Sequence, residues 1–210
     1  VHMVLNAFDL TGKVAIVTGC DTGLGQGMTL GLAQAGCDIV GVNRRIPHET
    51  AEKVQALGRR FTTIQADLSR QDEIETIVDR AVAAMGRVDI LVNNAGTIRR
   101  ADALSFSEKD WDEVINLNLK SVFFLSQAVA RQFIQQGDGG KIVNIASMLS
   151  FQGGIRVPSY TASKSGVLGI TRLMANEWAG HRINVNAIAP GYMATNNTQQ
   201  LRDDAERSKA

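Results

Sequence analysis

The sequence predicts an α/β protein: a Rossmann-type doubly wound parallel sheet flanked by helices on both faces. Three observations carry that prediction. Short β-rich runs alternate with segments of helical period along the chain. Several of the runs are apolar at nearly every position, as strands covered on both faces should be. A glycine cluster stands where the first run gives way to the first helix, the place where such folds receive a phosphate group.

The first strand is expected at residues 14–18. It leads into Gly19-Cys20-Asp21-Thr22-Gly23-Leu24-Gly25-Gln26-Gly27, whose glycines at 19, 23 and 25 let the backbone approach a pyrophosphate and aim N–H groups at it. A tight turn without a ligand would read the same way. The second strand, 38–43, ends at Asn43-Arg44-Arg45. An acid there would bind a free ribose 2′-hydroxyl and an arginine suits a 2′-phosphate; the acid is missing. Arg44 is equally placed to stack on an adenine or to sit in water. The third strand, 61–66, precedes Asp67, which suits either an adenine contact or a turn. Ser69 with Asp72 then reads as a capping start for a helix with Ile74, Ile77, Val78, Ala81, Val82 and Met85 on one face, and Gly86 as its stop. The fourth strand, 88–92, is followed by Asn93-Asn94-Ala95-Gly96, small enough for a cofactor to cross the strand ends or simply to turn. Ser107 with Asp110 looks like another helix start. The helix over residues 119–135 is apolar on more than one side, which predicts a second packing surface, most simply another subunit. Strands at 141–145 and 184–188 complete the sheet, with Gly180 closing the long helix between them.

Composition narrows the function. A chain of 210 residues hides roughly 70% of its unfolded surface and needs no metal or disulfide to hold a core. One domain over residues 1–210 is expected. The 44% hydrophobic, 20% charged composition is that of a soluble globular protein. A net charge of +1 gives no footprint for nucleic acid or an anionic membrane. Every apolar stretch is interrupted before the length of a membrane span, and no basic segment leads into a long apolar run near the N-terminus. A cytoplasmic protein without signal peptide is expected. Cys20 and Cys37 do not form a Cys-x-x-Cys unit and read as small buried hydrophobes. The three histidines are scattered, so no metal site is expected.

Chemistry enters with Tyr160 and Lys164. On a helix, positions i and i+4 share a face, so a phenol and an ammonium stand side by side. A phenol of pKa near ~10 is a poor base at neutral pH, and lowering it by about 3 units takes roughly 4 kcal/mol. One charge about 4 Å away supplies that order of energy at an effective dielectric near 20. Two unrelated surface residues would show the same spacing, so context decides.

In order along the chain stand Thr18 to Gly25 (TGxxxGxG), Asn93 to Gly96 (NNAG), Asn118, Ser147, Tyr160 to Lys164 (YxxxK) and Pro190-Gly191. As a set they resemble the short-chain dehydrogenase/reductase family across nearly the whole chain. The runs 19–27 and 147–160 resemble one branch of it, whose members interconvert an alcohol and a ketone on keto-deoxy sugar acids derived from pectin uronates. The resemblance implies Tyr160 as general acid/base, Lys164 as the cation that lowers its pKa and bonds the nicotinamide ribose, Ser147 as holder of the substrate oxygen, and Asn118 as anchor of a relay water. A buried Asn118 satisfying a helix irregularity is compatible with that role. It further implies dinucleotide contacts from Gly19, Asp21, Thr22, Gly23, Leu24, Gly25, Asn43, Arg44, Asp67, Leu68, Asn94, Ala95, Gly96, Tyr160, Lys164, Pro190, Gly191 and Thr195. The branch implies NAD(H), whereas Asn43-Arg44-Arg45 tolerates NADP(H). A homotetramer is the family expectation.

A sugar acid needs a cation for its carboxylate. Arg100 and Arg156 are favoured over Arg99 for that task, a bidentate guanidinium fitting the geometry. Gln152, Asn196 and Asn197 suit hydroxyls. Solvated surface arginines are the plainer reading of each. Family members run on past residue 210, so the family's last strand and part of its substrate lid are expected to be missing from this stretch. Two other functions stay open on sequence alone. A 3-oxoacyl-carrier reductase using NADPH shares these motifs. A dinucleotide-binding redox sensor without turnover would not need the intact Ser147–Tyr160–Lys164 set.

Overall fold

The computed structural model describes residues 7–194. Strands β1 (Val14–Thr18), β2 (Asp38–Asn43), β3 (Phe61–Gln65), β4 (Ile90–Asn93), β5 (Gly140–Ile145) and β6 (Ile183–Ile188) form one sheet in the order β3-β2-β1-β4-β5-β6. Every pairing is parallel. The helices are α1 (Gly23–Gln34), α2 (His48–Ala56), α3 (Gln71–Met85), α4 (Glu108–Ile115), α5 (Ser121–Gln136), the single turn α6 (Leu149–Gln152) and α7 (Pro158–Trp178). Strand order reverses between β1 and β4, which opens a crevice at the C-terminal ends of those strands. This is the doubly wound architecture that the alternation predicts.

Residue alternation in β1 explains the two layers. Val14 and Ile16 enter one apolar cluster with Ile74 and Ile77 of α3 and Val129 and Phe133 of α5. Ala15 and Val17 enter the other with Ala33 of α1 and Val54 of α2. One strand therefore serves opposite faces at alternate positions. Phe133 is wholly buried, and truncating such a side chain to alanine costs ~3–5 kcal/mol.

Helix ends differ from the sequence reading in two places. Ser69 does not cap α3. Its hydroxyl donates to Asp67 at 2.7 Å, and Arg70, without a side-chain cap, precedes the helix. Asp72 and Glu73 in the first turn complement the helix dipole instead. Gly180 does not close α7 either. The helix tightens into a 3₁₀ turn at Ala179–His181, and the left-handed residue is Arg182 at φ 59°. Gly86, at φ 84°, and Ser107, accepting from the Asp110 N–H at 3.1 Å, behave as expected.

A π-helical segment, Asn116–Lys120, joins α4 to α5. Val122 of α5 packs with Ala146 and Val167, whereas Leu125, Val129 and Phe133 face the sheet and α3. Two neighbours in the same chain thus cover much of the two-sided apolar surface. What stays open is a groove of about 210 Å³ between α5 and α7, lined by Phe123, Ala130, Ile134, Leu173 and Trp178 among others.

Candidate active site

The glycine loop is built for close approach. Gly19 has φ 64°, and a Cβ there would lie 3.0 Å from the Ala95 Cα. A Cβ at Gly25 would sit 1.9 Å from the Gly19 carbonyl oxygen. The Thr18 hydroxyl accepts from the N–H groups of Asn94 and Ala95 at 3.0 and 2.9 Å. The Asn94 amide donates to the Thr18 and Gly19 carbonyls at 3.0 and 2.8 Å. Asn94 therefore spends its side chain on holding the loop against the turn after β4. Helix α1 starts at Gly23 behind Thr22, whose side chain makes no capping bond, and its first turn carries no acid. A helix start left in that state suits an anion. Asp21 and Leu24 flank it half-buried, and Gly96 is exposed on the opposite turn.

Past β2 the structure corrects one expectation. Asn43 is 6% exposed and turned inward. Its Oδ1 accepts from the Cys20 N–H at 2.9 Å and its Nδ2 donates to the Cys20 Sγ at 3.4 Å. Anchoring the glycine loop occupies the amide expected to meet a ribose. Arg44 is exposed and lines a cleft of about 290 Å³ with Gln65, Ala66, Asp67 and Glu73. Asp67 borders that cleft and accepts from the Ser69 N–H at 2.9 Å, as its turn reading expects. Burial works against its charge, but the Ser69 bonds and the Arg44 and Arg70 cations hold its carboxyl below the usual range. Leu68 is buried in the main core, which leaves only its main chain for a ligand. Burial pushes the Cys20 thiol up to about 11, as befits a core hydrophobe. The loop, the uncapped helix start and the Arg44–Asp67 cleft together fit an elongated dinucleotide.

The candidate acid/base set converges beyond the end of β5. Ser147 follows that strand, and Tyr160 and Lys164 lie in the first two turns of α7. Ser147 acts on the Tyr160 phenol, lowering its pKa. Lys164 is 5% exposed, donates to the Ile145 carbonyl, and holds its Nζ 5.8 Å from the centre of the Tyr160 ring. Electrostatics here depart from the simple i, i+4 argument. Burial lifts the Tyr160 phenol above its ordinary value, opposed by the Ser147 hydroxyl and the Arg100 cation. Burial also drives the Lys164 ammonium down to about 8. Here desolvation by burial outweighs the neighbouring charge.

Asn118 lies fully buried in the π segment. Its Oδ1 accepts from the Thr97 N–H and its Nδ2 donates to the Thr97 carbonyl, both at 2.8 Å, with a longer bond of 3.3 Å to Ser163. The side chain thus ties the loop after β4 to α7. π turns recur at functional sites because they displace one stretch of helix from the regular ladder. Pro190 accepts from the Met148 N–H at 3.1 Å, which places Pro190-Gly191 beside Ser147. Thr195, Asn196 and Asn197 lie outside the described residues.

Arg99 pairs with Glu113 at 2.8 Å. Arg156 stands at φ 61°, pairs with Asp102 at 3.0 Å, and accepts the Ala101 N–H on its carbonyl. The residue thus joins two loops through a half-exposed ion pair. Arg100 is the cation whose charge reaches Tyr160. Gln152 is exposed at the end of α6. Sequence reading missed the inward turn of Asn43, the Thr18 hydroxyl and a buried amide network at Asn93 and Asn144. The one available signal for that network was polar residues inside strands that are otherwise apolar.

This site and fold are those of an oxidoreductase that binds a nicotinamide dinucleotide, and the chain belongs to the short chain dehydrogenase family, whose model matches residues 13–206. The chain is 76% identical to the 2-dehydro-3-deoxy-D-gluconate 5-dehydrogenase of Escherichia coli strain K12 over 98% of this chain and 81% of that protein. It is 73% identical to the enzyme of that name from Dickeya dadantii, over 99% of this chain and 82% of the relative. A crystal structure of a proposed 2-deoxy-D-gluconate 3-dehydrogenase from Agrobacterium tumefaciens with bound NADP superposes with a TM-score of 0.90 at 54% identity, covering 97% of this chain and 81% of that one.

Proposed function

We propose that this protein transfers a hydride between a nicotinamide dinucleotide and a secondary alcohol or ketone of a keto-deoxy sugar acid of the 2-dehydro-3-deoxy-D-gluconate type. The observation that carries the reading is the half-buried Tyr160 between the buried Ser147 and Lys164, with Arg100 acting on the phenol. The names of the relatives support the substrate class. The dinucleotide, when bound, supplies the hydride chemistry. Tyr160 takes the proton of the alcohol, or returns one to the ketone oxygen. Ser147 holds that oxygen and stabilises the charge that grows on it. Lys164, buried beneath the tyrosine ring, offers a donor for the ribose once it leaves the Ile145 carbonyl. Arg100 receives the carboxylate and keeps it near the reacting carbon.

Either dinucleotide fits the adenosine cleft. Arg44 and the missing ribose-reading acid support NADP(H) at least as well as the NAD(H) expected from sequence, and the Agrobacterium tumefaciens neighbour holds NADP. We extend the proposal to a cytoplasmic homotetramer, for which the apolar groove between α5 and α7 is the supporting surface. Among the described residues no helix is long and apolar enough to cross a membrane.

The test is a panel of keto-deoxy sugar acids assayed with NADH and NADPH, run on the wild type and Tyr160→Phe. Tyrosine-dependent turnover of a sugar acid is expected. A higher kcat/KM on acetoacetyl thioesters would overturn the substrate class, and turnover untouched by Tyr160→Phe would overturn the mechanism.

A further inference from the structure

We propose that the hydrogen bond between Asn144 and Thr171 is a positioning element of the reaction, setting the height of the strand that ends at Ser147 against the helix that carries Tyr160 and Lys164. The inference rests on the acid/base reading of Tyr160 given above.

Asn144 is wholly buried and Thr171 is 7% exposed. The Asn144 Nδ2 donates to the Thr171 hydroxyl at 2.9 Å, and that hydroxyl donates onward to the Val167 carbonyl at 2.6 Å. The Asn144 Oδ1 accepts from Asn93 at 2.8 Å, and Asn93 also donates to the Ser126 hydroxyl at 2.9 Å. One amide chain therefore runs from α5 through β4 and β5 to α7. Asn93 directly precedes Asn94, which clamps the glycine loop.

Spacing turns this chain into a ruler. Three residues along an extended strand, from Asn144 to Ser147, span about 10 Å. Seven residues along a helix, from Thr171 back to Lys164, span about 10.5 Å and two turns, returning to the same face. β5 rises toward the site and α7 descends from it, so a rung at Asn144–Thr171 brings Ser147 level with Lys164. Apolar contact cannot do this alone, because it is non-directional and lets a helix slide along a sheet. A buried, fully partnered amide does fix direction.

Among the described residues, β5 and α7 share two side-chain hydrogen bonds: Asn144 to Thr171, and Lys164 to the Ile145 carbonyl. A lysine that turns to a ligand gives up the second. The amide rung then holds the register while the site works. A displacement of about 1 Å at a reacting group costs on the order of a hundredfold in rate.

The test compares Thr171→Val, which removes the hydroxyl at nearly constant shape, with Thr171→Ser, which keeps it. For the valine variant we expect kcat to fall at least tenfold, with the sugar-acid KM within threefold and the NADPH dissociation constant, read by fluorescence, within twofold. The serine variant is expected to return kcat to within threefold of wild type. A valine variant that melts earlier yet keeps kcat within twofold would overturn the proposal, as would a serine variant as slow as the valine one. Thr171→Cys, similar in volume and a weak acceptor, takes the place of the valine variant should that one be insoluble. Tyr160→Phe is assayed alongside: a wild type without Tyr160-dependent turnover removes the acid/base reading and this proposal together, whereas normal kcat in the valine variant removes this proposal alone.

Discussion

Lys164 holds its Nζ 5.8 Å from the centre of the Tyr160 ring while donating to the carbonyl of Ile145. The lysine is thus buried against the phenol with a single main-chain acceptor, and its ammonium is pushed down to about 8.

That depression is a cost to folding at neutral pH. Free lysine protonates near ~10.4, so between that pH and about 8 the unfolded chain binds more protons and stability from this group rises with pH. The full penalty is present below pH 8. At 1.36 kcal/mol per unit it amounts to about 3 kcal/mol, offset by about 1 for the hydrogen bond to Ile145. Lys164→Met is expected to be inactive yet about 2 kcal/mol more stable at pH 7, with the advantage gone near pH 10.5. Urea melts of both proteins at the two pH values check this, and a variant less stable than wild type at pH 7 removes the claim.

Ser147 lowers a phenol that burial raises. Alcohol oxidation needs the phenolate, so its rate climbs with pH through the Tyr160 pKa. Ser147→Ala should move that limb to higher pH and cut kcat by about a hundredfold, a typical loss for one stabilising donor. A pH–kcat profile from 6 to 11 decides; an unmoved limb means the serine does not act on the phenol.

Arg100 and Arg156 should part company. Arg100→Met is expected to lower kcat/KM for a sugar acid by more than tenfold, or ~1.4 kcal/mol. Arg156→Met loses its pair with Asp102 and should act mainly through loop order, raising KM less than fivefold. Equal effects in the two variants would contradict the assignment.

Arg44 borders the cleft that the proposal gives to the adenosine, so Arg44→Ala should weaken NADPH more than NADH, by roughly tenfold in relative kcat/KM for one lost charge-assisted bond. Steady-state kinetics with both cofactors give the ratio. An unchanged ratio would place the guanidinium away from any 2′-phosphate.

The sheet was legible because its signal is local: apolar runs at 14–18 and 38–43 coincide with β1 and β2. The helix stripe from Ile74 to Met85 is the buried face of α3 for the same reason. Ser69 and Gly180 misled because capping depends on competing partners, and Asp67 and the 3₁₀ turn won. The motifs marked the candidate site, but not which polar atoms were already taken. Asn43 and Asn94 carry the right chemistry for ligands and spend it inside the protein. Such commitments are tertiary, set by residues up to 76 positions away, as between Asn94 and Thr18.

The inward commitment of Asn43 has an evolutionary corollary. The buried residue that steadies the glycine loop is one position away from the exposed residue that lines the cleft with Asp67. If position 44 sets coenzyme preference as proposed, a substitution there leaves the Asn43–Cys20 bonds that shape the glycine loop untouched, so the two properties can change separately.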